Sequence, residues 1–273
     1  MEKKGEFFLL NSLPLQSLYF IPMQKTKNYL NRLFLLLILT LAVSGTKAES
    51  PYRRSFYTSF INREMYRWGG LINTVEATNP PATIDQRLEL INFYYGYIGH
   101  MMGKKEHDIA GDYLERAEKL NNQVLRLSPR NATAYAYKGA FMGMHIGLNK
   151  LKSVYLGPES KIYINKAIAL EPNNVQAIID KGNLLFYSPG MLGGDKDDAV
   201  ALFLRAEKLM EKNKDTDHNW NYLILLTTLA KAYEKLNQLP EAKLAYEKAL
   251  RNEPNYKWVR DDLYPKLLIR MKK

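Results

Sequence analysis

Small and aromatic residues recur at helical spacing near the C-terminal end of the chain, and this pattern constrains the fold more than any other feature. Leu226, Leu229 and Tyr233 are three or four residues apart and therefore line one face of a helix. Ala230 beside them is small, so a second helix is able to approach closely. That helix and its end are predicted from Ala242, Tyr246, Ala249 and Pro254. The two helices form a hairpin that needs neighbouring hairpins to bury its apolar face.

Less regular copies of this hairpin precede it. We expect the earliest from a helix at about 83–102 and a partner at about 107–127. Another begins near Asn131, which suits a helix cap, and one more contains Ile178. The sequence therefore predicts about four hairpins in a row.

Two inserts and two flanking helices complete this pattern. Residues 148–158 form either an inserted loop or a longer helix, and 188–194 form a second insert. An extra helix is predicted at about 54–76, and a capping helix at about 255–270 covers the open end of the stack. The predicted fold class is all-α, an α-solenoid of antiparallel helical hairpins with these two additions.

The region from about 84 to 270 resembles the tetratricopeptide repeat (TPR) superfamily, most strongly in its last repeat. Leu226 stands where that family usually has Trp, and Ala230 where it usually has Gly. The stretch 169–195, with its proline- and glycine-containing loop, is similar to a subgroup of exported bacterial TPR proteins. Some of that subgroup resemble the periplasmic T-component of TRAP transporters. The resemblance implies a TPR-like solenoid that holds another molecule, and it carries over no enzymatic activity.

The first 48 residues have the order of an export signal. Lys25, Lys27 and Arg32 precede the apolar run 33–43, which is about half the length of a membrane span. Small residues then lead to a predicted cleavage after Ala48. An uncleaved membrane anchor and a buried core helix stay open as alternatives. We therefore predict export to a bacterial periplasm, with membrane contact only through an uncleaved signal segment.

The sequence divides into four predicted parts. Residues 1–22 precede a second methionine that suits the start of a signal peptide, so they are either a misplaced start or a dispensable extension. The signal peptide is 23–48, and the N-terminal helix with its linker is 49–82. The helical repeat domain is 83–273.

Composition excludes several kinds of chemistry. The 273 residues contain no cysteine, which excludes disulfide bonds, thiol catalysis and cysteine-ligated metals. The formal charge is +11, but six basic and two acidic residues precede position 49, so the rest carries +7. That balance favours acidic partners only weakly. We expect no nucleic-acid partner.

Glycines and histidines form no recognisable catalytic constellation. Gly190, Gly193 and Gly194 precede a helix, but their spacing matches neither phosphate-binding loop, and Asp195 is better explained as a helix cap. The four histidines do not pair at metal-binding spacing: His100, His107, His145 and His218. We expect no cofactor, no metal site and no enzymatic activity.

The inner face of the solenoid offers the best candidates for binding. In a TPR stack the first helix of each hairpin lines the concave surface, and the phase of the small residues selects the positions that point inward. The candidates are Phe93, Tyr97, His100, Tyr137, Met144, Asn183, Phe186, Tyr187, Lys231 and Glu234. Aromatic side chains in a groove suit a peptide or an apolar ligand. The alternative is that these rings pack against the first helix and fill the interior.

The predicted function is therefore a non-enzymatic scaffold that binds a protein or peptide on its concave face. The sequence does not identify that partner. The alternative is a periplasmic small-ligand-binding or transport accessory protein, with its ligand in an aromatic pocket between repeats.

Overall fold

Helices make up most of the part of the chain that the structure describes. The computed structural model describes residues 52–272, and these contain no strand. Eleven α-helices follow one another there: α1 (Arg53–Ile61), α2 (Trp68–Thr78), α3 (Ile84–Lys104), α4 (His107–Leu127), α5 (Ala132–Leu148), α6 (Ser153–Leu170), α7 (Val175–Tyr187), α8 (Lys196–Lys212), α9 (Trp220–Lys235), α10 (Leu239–Asn252) and α11 (Tyr264–Met271). The all-α fold expected from the sequence is confirmed.

Four hairpins form the body of the fold. α3 packs on α4, α5 on α6, α7 on α8, and α9 on α10. Each hairpin also packs on the next, through α4 with α5, α6 with α7, and α8 with α9. This is the arrangement of an α-solenoid, as predicted. We call α3, α5, α7 and α9 the inner helices.

Polar caps fix where the inner helices begin. In each case a side-chain oxygen accepts a backbone N–H from the first turn: the caps are Thr83, Asn131, Asn174 and Asn219. Asp195 caps α8 in the same way, as the sequence predicts. A cap at each inner helix sets the starting register of every hairpin.

Two glycines allow the helices of the middle hairpins to approach closely. A Cβ atom at Gly139 would lie 2.6 Å from Cγ1 of Ile164 on the partner helix. A Cβ atom at Gly182 would lie 2.5 Å from the ring of Phe203. Since real side chains do not tolerate such distances, these positions require the absence of a side chain.

The single helix predicted at 54–76 is wrong. Two helices occupy this segment, and a 3₁₀ turn at Met65–Arg67 joins them to one another. Arg63 has a φ of 63°, which an α-helix does not allow. The break lets Phe60 of α1 and Trp68 of α2 face the same cluster of rings, and that burial outweighs the continuity of one helix.

The two inserts differ, since the first is mainly the beginning of α6 and the second is a turn. α5 ends at Leu148, a 3₁₀ turn spans Lys150–Lys152, and α6 begins at Ser153. A longer helix, rather than an inserted loop, therefore describes most of 148–158. The second insert contains a 3₁₀ turn at Gly190–Leu192.

The C-terminal end is covered where a capping helix was predicted. A π-helical segment, Val259–Leu263, leads directly into α11. Val259 and Leu267 are buried against the repeats, so this end of the stack is not left apolar and open.

Several predictions fall on residues 1–51, outside the part of the chain that the structure describes. These are the extension at 1–22, the signal peptide at 23–48 and the cleavage after Ala48. They stay predictions, as does the division at 82. Within residues 52–272, no helix is both long enough and apolar enough to cross a bilayer.

Candidate binding surface at the inner face

The N-terminal segment lies directly against the inner helices. Three of its rings meet three rings of the repeats: Phe56 meets Phe93, Trp68 meets Trp220, and Phe60 meets Tyr256. The ring centroids are 3.8, 5.2 and 5.1 Å apart, respectively. These six side chains, which we call the aromatic plug, are at most 6% exposed. Rings this close and this buried contribute strongly to stability.

The absence of a side chain at Gly96 of α3 leaves space for the rings of the aromatic plug. A Cβ atom there would lie 2.6 Å from the ring of Trp68 and 2.8 Å from that of Trp220. Gly96 thus faces the N-terminal segment, whereas Gly139 and Gly182 face their own hairpin partners.

Polar contacts hold α1 to the far end of the chain. The hydroxyl of Tyr57 donates to Oε2 of Glu253 at 2.9 Å. Burial, and then this hydrogen bond, raise the pKa of Tyr57. Two ion pairs at 3.5 Å flank the helix: Arg53 with Asp215, and Arg63 with Asp262. Because exposed ion pairs contribute little, the rings and the Tyr57 hydrogen bond account for most of the attachment.

Beneath the plug, side-chain hydrogen bonds join inner helices of different hairpins. Asn92 of α3 accepts from the indole N–H of Trp220 at 2.8 Å and from the amide of Asn221 at 2.9 Å. Its own amide donates to the hydroxyl of Tyr137 on α5 at 2.9 Å. The first and last inner helices are therefore bridged directly.

A buried carboxyl group lies in the same layer. Asp180 of α7 is 2% exposed. Its two oxygens accept from the hydroxyl of Tyr95 and the amide of Gln176, each at 3.0 Å. Asn183 donates to that hydroxyl at 3.2 Å. Burial raises the pKa of Asp180 to about 7, although both hydrogen bonds oppose the rise.

Four of the ten predicted binding residues belong to this filled interior. Three of them, Phe93, Tyr97 and Tyr137, are buried and pack against other residues of the core. Tyr97 packs edge-on against Tyr113 with centroids 4.7 Å apart. Asn183 is half-buried and bonded to Tyr95.

Five other predicted residues lie beyond this layer, toward the C-terminal ends of the inner helices. Consecutive helices pack against one another through short turns and so alternate in direction, which gives the inner helices one common direction. Hydrogen bonds place Asn92 level with Tyr137 and Tyr95 level with Asp180. His100, Met144, Phe186 and Tyr187 follow that level by about two helical turns, and Lys231 follows Asn221, which bonds Asn92, by about three. We call this set the mouth: His100, Met144, Phe186, Tyr187 and Lys231.

The mouth combines apolar, aromatic and basic groups that solvent reaches. The ring of Tyr187 is 72% exposed and lies edge-on to Phe186, with centroids 4.9 Å apart. The ammonium of Lys231 lies 5.1 Å from the ring centre of Trp258. Burial lowers the pKa of Lys231. It also lowers the pKa of His100, with a smaller effect from Lys104.

Glu234, the tenth predicted residue, has structural partners. It accepts from the hydroxyl of Tyr246 at 2.8 Å and pairs with Arg270 at 3.3 Å. It therefore holds α10 and α11 in place beside Lys231.

Sequence reasoning missed the polar layer under the plug. Asn92, Tyr95 and Asp180 were not among the candidates, although each is a polar residue in an inner helix. Their phase relative to Gly96 and Gly182 was the available signal. No group of three or more histidine, aspartate or glutamate side chains within residues 52–272 is arranged to hold a metal ion.

Comparison with known proteins supports the repeat pattern. A family model described as tetratricopeptide repeat matches residues 224–256. No curated protein matches the chain. The matched segment is the regular last hairpin, α9 with α10.

Solved structures, one of them of a TPR protein, are similar to the chain. A thermophilic TPR protein of Thermus thermophilus is 15% identical, with a TM-score of 0.50, over 80% of this chain and 97% of that one. The MamA protein is 16% identical with a TM-score of 0.36, over 78% of this chain and 97% of that one. The first likeness supports the fold alone. Residues 224–256 thus match one TPR unit, and they lie within an α-solenoid.

Proposed function

We propose that this chain, a helical-repeat protein of the TPR type, is a non-enzymatic scaffold of the bacterial cell envelope that holds a protein or peptide partner at the mouth. TPR-type solenoids generally mediate contacts between proteins. The observation that carries the proposal is the mouth itself. Solvent-accessible aromatic and basic side chains lie near the C-terminal ends of the inner helices, while packed rings and hydrogen-bonded side chains fill the layer before them.

The chemistry of the mouth suits a peptide segment with one apolar and one acidic group. Met144, Phe186 and Tyr187 offer apolar and aromatic surface to the apolar group. Lys231 offers a partly desolvated ammonium, which gains more from a carboxylate than a fully hydrated one does.

The small-ligand alternative has less support. A cavity of about 500 Å³ opens between α8, α9 and α10, but its lining includes Glu211, Lys248 and Arg251. Charged walls of this kind differ from the aromatic pocket that this alternative requires.

The envelope location rests on the basic and apolar pattern of residues 23–48. Cell fractionation with N-terminal sequencing tests it. A mature chain that begins at Glu49 in the periplasmic fraction supports the location, and an unprocessed chain in the cytoplasm contradicts it.

Crosslinking of the chain in its native envelope, followed by mass spectrometry, tests the scaffold. The mouth variant is Tyr187→Ala with Lys231→Ala. The matched control is Ile162→Ala with Lys208→Ala, which removes one exposed apolar and one exposed basic side chain from outer helices. We expect a specific protein to crosslink to the wild type and the control but not to the mouth variant.

Retention of the same protein by all three chains would contradict a role for the mouth. A small molecule in native mass spectra, without any crosslinked protein, would favour the ligand-binding alternative. Equal melting temperatures confirm that neither variant has lost its fold.

A further inference from the structure

Two neighbouring turns at one edge of the solenoid display large apolar side chains that nothing in the described chain covers. The five residues are 58–92% exposed: Leu151, Val154, Tyr155, Met191 and Leu192. We call them the turn patch. Soluble monomers rarely display so many large apolar side chains together, so the patch indicates an interface.

The two turns are neighbours because they connect corresponding helices of consecutive hairpins. The first turn joins α5 to α6, and the second joins α7 to α8. α7 packs on both α5 and α6. Since packed helices are about 8–10 Å apart, the two turns lie on the same side of neighbouring hairpins.

Local hydrogen bonds hold both turns in their outward-facing form. Oδ1 of Asn149 accepts from the N–H of Leu151 at 3.0 Å. The N–H of Gly194 donates to the carbonyl of Pro189 at 3.0 Å. Gly193 has a φ of 87°, which a side chain disfavours. The apolar side chains are therefore presented by ordered backbone and need little reorganisation to bind.

Charge differs between the two sides of the patch. Lys150 and Lys152 belong to the first turn, while Asp195, Asp197 and Asp198 follow the second and outnumber Lys196 among them. A second copy related by a two-fold rotation carries the same arrangement. Its lysines then lie opposite these aspartates, and its apolar residues lie opposite the apolar centre. A two-fold interface joins the same surface of both subunits in this way.

We propose that the turn patch is the interface between two copies of this chain. The acidic side disfavours an anionic membrane surface as the occupant. The five side chains offer about 750 Å² per copy if each contributes on the order of 150 Å², so both copies together reach the range of specific interfaces. The proposal goes beyond the scaffold function, since the patch contains none of the residues of the mouth.

The first measurement is the molar mass of the purified full chain by light scattering and sedimentation over a range of concentrations. We expect twice the mass of one chain at the upper end of that range. Leu151→Ser with Met191→Ser is expected to raise the dissociation constant at least tenfold. Ile162→Ser, at an equally apolar exposed position outside the patch, is expected to leave it unchanged.

Charge reversal tests the two-fold arrangement itself. One chain carries Lys150→Glu with Lys152→Glu, and the other carries Asp197→Lys with Asp198→Lys. Each alone places like charges opposite one another and is expected to be monomeric. When the two chains are mixed, each of the two contacts in the mixed dimer pairs opposite charges again, so the mixture is expected to form a dimer. Circular dichroism establishes that both chains remain folded, because Asp197 and Asp198 lie in the first turn of α8.

Three results would overturn the proposal. One is a wild-type chain that stays monomeric at every concentration. A monomeric chain that binds phosphatidylglycerol vesicles in a flotation assay would count in the same way. Another is a dimer that survives the Leu151→Ser and Met191→Ser changes. The last is a mixture of folded charge-reversed chains that stays monomeric.

Discussion

Asp180 makes the stability of this protein depend on pH near neutrality. Its carboxyl group is buried between α7 and α3, and its pKa is about 7 in the folded chain. In an unfolded chain an aspartate has a pKa of about 3.9. The folded state therefore binds the proton more tightly than the unfolded state does. The stabilisation is complete below about pH 3.9 and is lost as the pH rises through 7.

The size of the effect follows from the difference between these two pKa values. A gap of about three units corresponds to about 4 kcal/mol in total. Between pH 5 and pH 8.5 the same linkage gives a loss of about 3 kcal/mol in the free energy of unfolding. Asp180 is 2% exposed, so solvent screening reduces this effect on the free energy of unfolding only a little.

Asp180→Asn is the perturbation that isolates this group. The amide keeps the shape of the protonated carboxyl and never ionises, so the variant is expected to lose the pH dependence. Urea unfolding of both chains at pH 5, 7 and 8.5 gives the measurement. We expect the difference between variant and wild type to move by about 3 kcal/mol in favour of the variant across that range.

A control separates this effect from other titrating groups. Asp112→Asn makes the same chemical change at an exposed position on α4 and is the matched control for the substitution itself. His100 has a lowered pKa, so its contribution to the free energy of unfolding is lost as the pH falls. This is opposite in sign to the effect of Asp180. Parallel stability curves for wild type and Asp180→Asn would refute the reasoning, because they mean that Asp180 is ionised in both folded and unfolded chains.

Three further changes test the packing. Trp68→Ala empties a site that is fully buried and is expected to lower the free energy of unfolding by about 3–5 kcal/mol in urea titrations, with a loss below 1 kcal/mol counting against the plug. Gly139→Ala forces a Cβ atom against the partner helix and is expected to destabilise by about 1–3 kcal/mol. Gly143→Ala, on the same helix but with open space around it, is expected to stabilise by about 0.5–1 kcal/mol, and equal melting shifts for the two would contradict the contact. Asn131→Ala removes the cap of α5 and is expected to cost about 1 kcal/mol, measured by thermal melting.

The hairpins were predictable because their signals are local. Leu226, Ala230 and Tyr246 lie within one repeat, and the spacing of such residues defines both helices of α9 and α10 without reference to the rest of the chain. Caps such as Asn131 and Asp195 are local as well. These elements are confirmed because nothing distant competes with them.

The contents of the inner face were predictable only as one of two alternatives, because the signals that decide between them are distant in the chain. Phase indicates that Phe93 points inward, but only the fold reveals that Phe56 covers it. The break between α1 and α2 has the same origin, since Phe60 and Trp68 find partners more than 150 residues away in Trp220 and Tyr256. Periodicity indicates which way a side chain points, but it does not indicate which residue packs against that side chain.

The contact of the first helix with the last hairpin has a consequence for how the chain folds. A simple solenoid gains stability from nearest neighbours, so its repeats are able to unfold in stages from the ends. Here Phe60 on Tyr256, and the hydrogen bond from Tyr57 to Glu253, tie the beginning of the described chain to its end. Loss of the last repeat therefore uncovers the first helix at the same time. The protein should unfold as one cooperative unit, and during synthesis its first helix has to wait for the last hairpin before it can be buried.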